Sequence, residues 1–329
     1  MHKILAVCGG NGAWLYPLKE FLIGNLEPRS LFKTPDDIQW RLNFNSIPLY
    51  HKLEEIAKLK PSIIVGAPDC GHSSKFSYSR AKKLSSPLEN SSFKVFLDSV
   101  LYLSPSYFVM ENLEKALEYI EDIRDWLPTY IVDYIKFNSF EIGNSQINRD
   151  RVLIIGVRKD KNKGNLVLLK RLKQISILKR TKNLLEDFPN EKPTANFCHI
   201  KEKLEDTITL YAGFKLSLVE IKEEWKRRGT SRWKVEGKKF STAPGVYRNL
   251  PDEYPATVRK TNRQFNSEGE MMSPRELGRI QGIPDSFKVW EDTSKLYYCI
   301  NKGRVTVAKG PPYELGLLLK DKLEKGEFD

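Results

Sequence analysis

Short runs of consecutive apolar residues punctuate the chain: Ile4-Leu5-Ala6-Val7, Ser62-Ile63-Ile64-Val65, Tyr107-Phe108-Val109-Met110 and Arg151-Val152-Leu153-Ile154-Ile155-Gly156. Their length fits strands, and their lack of alternation fits strands covered on both faces, as in a parallel sheet. Between them, 50–59 (YHKLEEIAKL) and 112–126 (NLEKALEYIEDIRDW) space apolar residues at helical intervals and predict crossover helices. This rhythm predicts the α/β class, with a doubly wound, mostly parallel sheet. A further helix is predicted over 273–287 (SPRELGRIQGIPDSF), with Ser273 as N-cap, Pro274 at the first helical position and Glu276 completing a capping box.

The pattern breaks after Arg158. Residues 158–182 carry ten Lys or Arg against one acid, and 225–239 (WKRRGTSRWKVEGKK) interleaves seven bases with Trp225 and Trp233. A second, smaller, basic region is expected there, with the chain returning to its first domain afterwards. Over all 329 residues the formal net charge is +12. A polyanion becomes the leading candidate partner, because Lys and Arg that neutralise phosphates release counterions; a solvated charged face is the alternative. Cys8, Cys70, Cys198 and Cys299 form no Cys-x-x-Cys pair, so neither a zinc site nor a disulfide framework is expected and the thiols should be reduced. No run approaches the length of a membrane span. An intracellular, soluble protein without metal is expected.

Three places offer chemistry. The first apolar run enters VCGGNGAW (7–14), a glycine-rich turn that lets backbone approach a ligand closely. Such a turn serves packing, a nicotinamide dinucleotide or another nucleoside cofactor equally well. Cys70 follows the second run, on GAPDCGHSS (66–74), where a thiol can act as a nucleophile if its pKa is lowered; a buried packing cysteine is the alternative. FVMENL (108–113) sets Glu111 and Asn112 just past the third run. A carboxyl group beside a thiol suits protonating or holding a heterocycle under attack, although a helix N-terminal carboxylate would read the same way.

Together and in order, these stretches resemble the cytosine-C5 DNA methyltransferases. GAPDCGHSS resembles the family's Pro-Cys nucleophile loop, MENL (110–113) its Glu-Asn-Val motif, and NRDRVLIIG (148–156) its Arg-x-Arg strand. RELGRIQGIPDSF (275–287) is close to its Arg-Glu…Arg-x-Gln-Gly-x-Pro-Asp segment, the most specific match, and VCGGNG (7–12) falls where its cofactor loop should be. The resemblance implies a Rossmann-like class I methyltransferase fold, with residues 1–160 and 270–329 forming the catalytic domain and 161–269 a target-recognition domain. It implies Cys70 as nucleophile toward cytosine C6, Glu111 on the N3/N4 edge of the base, and Arg149 and Arg151 steadying the flipped nucleotide and the nucleophile loop. S-adenosylmethionine would lie against Val7, Cys8, Gly9, Gly12, Asn25, Leu26, Glu27, Pro68 and Lys302. The implied partner is double-stranded DNA, and a monomer is expected.

The chain departs from the family pattern in places. Asn25 takes the place of the acidic residue for the cofactor ribose, with Glu27 close by, and Asp69 replaces the second proline of the nucleophile loop. Ile147 occupies the glutamine place before the paired arginines, with Gln146 one residue early. In YYCINKGR (297–304), Asn301, Lys302 and Arg304 stand in the glycine, asparagine and valine places of the last motif. Three alternatives remain open: a non-catalytic DNA-binding homologue, the same chemistry on RNA, and a carboxylated donor, carboxy-S-adenosylmethionine, held by Lys302 and Arg304 to give 5-carboxymethylcytosine. A nicotinamide-dependent oxidoreductase would explain neither Cys70 nor 275–287.

Overall fold

The computed structural model describes residues 2–28, 35–69, 91–142, 144, 149–161, 246–248, 263–265, 274–289 and 310–328. Cys70, Lys302, Arg304, Ser273 and the stretches 162–182 and 225–239 lie outside the described residues, as does the Glu276 side chain. By contacts the chain divides into two compact units. One comprises Met1–Gly143, Arg149–Leu178 and Gly310–Asp329, the other Asn144–Asn148 and Lys179–Lys309.

The first unit is built on a seven-stranded sheet. Its strands are β1 (Ile4–Val7), β2 (Leu22–Leu26), β3 (Leu49–Tyr50), β4 (Ile63–Gly66), β5 (Tyr107–Asn112), β6 (Tyr130–Asn138) and β7 (Asp150–Arg158), in the spatial order β3-β2-β1-β4-β5-β7-β6. β1 to β5 pair in parallel, and β7 runs antiparallel to both of its neighbours. Every residue of β1, β4 and β5 is buried, as the unbroken apolar runs require. α1 (Pro35–Asn43) connects β2 and β3. Leu5, Val7, Ile64, Phe108 and Met110 pack with Phe96, Leu97 and Val100 of α2 (Ser91–Leu103) and with Ile123 of α3 (Ile120–Trp126) in one buried cluster.

Two expected helices are shorter than their apolar spacing suggests. Over 50–59 there is β3 and then a single 3-10 turn, Leu53–Ile56. The Glu55 carboxylate accepts the backbone N–H groups of His51 at 2.8 Å and Lys52 at 3.3 Å, which caps that turn at its start. Over 112–126 the chain remains in β5 through Asn112, forms a 3-10 segment (Glu114–Tyr119), and only then enters α3. The Asn112 side chain accepts the Leu113 N–H at 2.8 Å, a local bond that competes with a helical start.

In the second unit, β8 (Val246–Arg248) and β9 (Arg263–Phe265) form a parallel pair, and α4 spans Pro274–Ile280. α4 stops well short of the predicted helical end at 287. Gly282, at φ +77°, donates its N–H to Arg279 O at 2.9 Å, and Ile283 donates to Gly278 O at 2.9 Å. That is a Schellman ending, and it explains the glycine after Gln281. Arg279 then grips Asp285 with two bonds (2.9 and 2.8 Å), while Arg275 donates to the carbonyls of Pro284 (3.2 Å) and Phe287 (2.6 Å). The Arg279 side chain holds the Asp285 carboxyl below the usual range. The arginines of the most specific motif therefore fix a helix and the turn that follows it.

Distant parts of the first unit meet where α5 (Tyr313–Glu324) packs on the 3-10 segment Ala13–Phe21. A Cβ on Gly316 would come within 1.8 Å of the Trp14 carbonyl oxygen, so only glycine permits this approach. Among the described residues no helix is long and apolar enough to cross a membrane.

Candidate active site at the carboxyl rim of the sheet

In open α/β sheets ligands collect beyond the carboxyl ends of the parallel strands. Here β1, β2, β4 and β5 end at Val7, Leu26, Gly66 and Asn112. Because β7 is reversed, its beginning, Asp150-Arg151, lies on that same rim, with Asn138 paired to Asp150 and Asn112 to Val152.

The turn after β1 is tightly held. Cys8 adopts φ +58°, a left-handed conformation that costs a side-chain-bearing residue about 1–2 kcal/mol. Its N–H donates to Leu26 O at 2.8 Å, its carbonyl accepts Ala67 N–H at 3.4 Å, and its buried thiol points to Ser92 O at 3.6 Å. Gly9 donates to Asn25 Oδ1 (3.3 Å) and Gly10 to Glu27 Oε2 (3.3 Å). A Cβ on Gly9 would lie 3.0 Å from Asn25 Oδ1, and one on Gly12, at φ +78°, would press 2.6 Å from the Phe44 ring. Trp14 Nε1 closes the turn on Gly9 O at 3.3 Å, and Asn11 Oδ1 accepts Ala13 N–H at 2.8 Å.

Asn25 carries the sharpest signal for a ligand. Its Oδ1 is satisfied, yet its Nδ2 is buried and has no hydrogen-bond partner in the protein among the described residues. A buried donor left unmade costs on the order of 1–3 kcal/mol, a penalty that an acceptor on a bound molecule removes. A ribose hydroxyl is such an acceptor. The residues therefore fit a nucleoside cofactor: Asn25 and Glu27 beside a glycine turn, with Val7 and Leu26 paired behind them.

The second half of the rim is charged. Glu111 on β5 opposes Leu153 on β7; Arg151 and Arg149 lie two and four positions before Leu153, so the period of two sends all three side chains to one face. Arg151 Nε lies 3.0 Å from Glu111 Oε1, a charge contact without the alignment of a hydrogen bond. Glu111 is 6% exposed. Burial pushes its carboxyl above the ordinary range, against the opposing pull of Arg151 and Arg149. Arg149 is also buried and donates to Gly310 O at 2.7 Å, so it holds the point at which the chain returns toward α5.

Between the two halves run Ala67, Pro68 and Asp69, and each is tied to a different element. Ala67 N–H donates to Cys8 O, Pro68 O accepts Asn112 Nδ2 at 3.2 Å, and Asp69 N–H donates to Ser92 Oγ at 3.1 Å. Cys70 follows at once in the sequence. Val7, Asn25, Leu26, Glu111 and Arg151 thus lie on strands of one sheet and Cys8, Gly9, Gly12, Glu27, Pro68 and Arg149 on the segments that adjoin those strands, while Cys70 and Lys302 lie outside the described residues. Sequence reasoning misses Ser92, which no motif marks. No group of three or more His, Cys, Asp or Glu among the described residues could hold a metal ion.

Comparison with known proteins identifies the family and the fold. Residues 38–307 match the family model for C-5 cytosine-specific DNA methylase. A type II methyltransferase of Fusobacterium nucleatum, M.FnuDI, is 25% identical over 282 residues, covering 80% of this chain and 76% of the relative. The fold is shared with a protein assigned as a DNA modification methyltransferase from an E. coli prophage (TM-score 0.65, 17% identity, 99% of both chains). It is shared too with the Dnmt2 methyltransferase of S. pombe (TM-score 0.57, 13% identity, 99% of both chains). The Entamoeba histolytica methyltransferase EhMeth is similar (TM-score 0.63, 12% identity, 99% of both chains). With the family model spanning most of its length and the glycine turn and Glu-Arg pair on one rim, the chain belongs to the C-5 cytosine-specific DNA methylases and is a DNA cytosine-5 methyltransferase of that S-adenosylmethionine-dependent family.

Proposed function

We propose that the chain methylates cytosine C5 in double-stranded DNA through covalent addition by Cys70. The observation that carries this reading is the buried Glu111–Arg151 pair beside a backbone segment tied at Ala67, Pro68 and Asp69, directly ahead of Cys70 in the sequence. Cys70 as thiolate adds to C6 of a cytosine that has left the duplex, which turns an inert C5 into a nucleophile. Glu111, its carboxyl raised by burial, donates a proton toward N3 and draws charge out of the ring as the thiolate adds. Arg151 orients that carboxyl. S-adenosylmethionine, when bound, supplies an electrophilic methyl group on a sulfonium, and the glycine turn with Asn25, Glu27, Val7, Leu26 and Pro68 would hold it. Once C5 is alkylated, its proton leaves to solvent, the electron pair expels the Cys70 thiolate, and the proton lent to N3 returns to Glu111.

The basic stretches support a DNA-recognition role for the region around 161–269. If 158–182 and 225–239 touch phosphates, neutralising several of their Lys and Arg should weaken binding to all DNA sequences alike. The slope of log affinity against log salt should flatten by roughly one unit for each phosphate that the protein no longer neutralises. Unchanged affinity and slope would mean that these charges are only solvated. The type II relative supports a modification role beside a restriction enzyme.

Lys302 favours a second donor. An ammonium near a sulfonium costs roughly 4 kcal/mol at 4 Å for an effective dielectric of 20, and a carboxylate on the transferred carbon would offset it. Competing S-adenosylmethionine with its carboxylated form over DNA and over RNA, then digesting the nucleic acid for mass spectrometry, tests donor and substrate together. We expect 5-methylcytosine in DNA; 5-carboxymethylcytosine that disappears in Lys302→Asn would establish the second donor. Modification confined to RNA, or no modification at all, would overturn the reading.

A further inference from the structure

The peptide that joins Gly9 to Gly10 is held at both of its polar ends. Its N–H, which belongs to Gly10, donates to Glu27 Oε2 at 3.3 Å. Its carbonyl, which belongs to Gly9, accepts the Gly12 N–H at 3.2 Å and the indole Nε1–H of Trp14 at 3.3 Å, so both lone pairs are used. Packing fixes only one side of this plane. A Cβ on Gly9 would lie 2.8 Å from Leu15 Cδ1, whereas one on Gly10, at φ +63°, would meet nothing within 4 Å among the described residues. With a glycine on each side and open space at Gly10, the plane can turn over at little steric cost. Hydrogen bonds, not contacts, decide which way it faces.

The two bonds to Gly9 O differ in what stands behind them. Gly12 belongs to the turn and moves with it. Trp14 is 1% exposed, and its carbonyl lies so close to α5 that a Cβ on Gly316 would come within 1.8 Å of it. A Cβ on Gly310 would lie 3.5 Å from Trp14 Cδ1. The indole is thus anchored in the body of the first unit, beyond the turn itself.

We infer that Trp14 is a positioning residue: its indole N–H ties the Gly9 carbonyl inward and so locks the Gly9–Gly10 peptide plane in the orientation in which the turn receives the cofactor. Turned over, the plane would send that carbonyl toward the open side and withdraw the Gly10 N–H from Glu27. A bound molecule must then meet a competent turn only part of the time, and its apparent affinity falls by that fraction. Trp14 acts here without touching the ligand. This inference rests on the proposed reading that the glycine turn holds S-adenosylmethionine.

Replacing Trp14 in the full chain by 3-benzothienylalanine, which carries sulfur in place of the indole N–H and keeps the bulk, tests the bond itself; Trp14→Phe is a second variant with the same loss. Calorimetry with S-adenosylhomocysteine should show Kd raised roughly five- to tenfold in both, the range that one lost hydrogen bond accounts for. The KM for the donor should rise in step, while kcat at saturating donor and the affinity for DNA stay at wild-type values, because saturation restores the competent turn. Deuterium exchange without any ligand should be faster at the amides of residues 8–12 in the variants and unchanged along β4 and β5.

Wild-type affinity in the benzothienyl protein, unchanged exchange over 8–12, or a loss of kcat that saturating donor does not restore would overturn the inference. Wild-type protein that binds no S-adenosylhomocysteine would instead overturn the cofactor reading of the turn, and the exchange measurement, which needs no ligand, keeps the two failures apart.

Discussion

Cys70→Ser is expected to reduce methyl transfer to background while leaving DNA affinity largely intact. The thiolate is the nucleophile in the proposed addition, and a serine hydroxyl at neutral pH has no comparable fraction ionised and no activating base among the residues assigned to the site. Binding draws on phosphate contacts instead, which the substitution does not touch. A target containing 5-fluorocytosine sharpens the test, because loss of a C5 proton is then impossible and the wild type should remain attached to its substrate. The wild type should give a denaturant-stable protein–DNA band whose modified peptide contains residue 70, and the variant should give none. Full turnover by Cys70→Ser would remove covalent catalysis from this chain.

Glu111→Gln should lower kcat by roughly 10²–10⁴-fold, the range for loss of a positioned acid. The amide keeps the shape of the side chain but has no proton to give to N3. The same variant should change how stability depends on pH. Burial raises the folded-state pKa of Glu111 above its ordinary value of 4.5, so the unfolded chain releases this proton more readily than the native one. The resulting stabilisation is fully present below the unfolded pKa and is lost as pH rises through the folded pKa. The difference in unfolding free energy between wild type and Glu111→Gln should therefore move against the wild type from about pH 4.5 upward. Denaturant titrations of both proteins across that range measure it. A difference that does not change with pH would mean that the carboxyl titrates alike in both states.

The strands most visible in the sequence are the ones buried on both faces. β1, β4, β5 and β7 announce themselves as apolar runs because both of their faces are covered. β2 is hidden by Gly24 and Asn25, small or polar residues, of which Asn25 serves the rim. β6, at the sheet edge, mixes buried and half-exposed positions with Asp133 and Lys136, and its nine residues lack the continuous run that marks the others. The overestimated helices at 50–59 and 112–126 have genuine helical spacing, but side-chain bonds from Glu55 and Asn112 to nearby backbone take over their first turns.

In the site, Glu111, Arg149 and Arg151 are legible because MENL and NRDRVLIIG resemble family motifs, and the fold then pairs the strands that carry Glu111 and Arg151. Ser92 is not. A serine in an ordinary helical stretch gives no sign of its partner, which the fold alone sets beside it, here the backbone amide of Asp69.

The packing of α5 on Ala13–Phe21 has a consequence for biosynthesis. The carbonyl of Trp14 waits for Gly316, and Arg149 waits for Gly310. All of residues 179–309 are translated in the interval. A nascent chain thus has all seven strands of its main sheet made while the face at Trp14 is still uncovered, and contacts of such long sequence separation form slowly. During that interval the uncovered surface is a target for chaperones and a liability for aggregation. Since Trp14 also closes the glycine turn on Gly9, that turn gains its outer support only once α5 has left the ribosome.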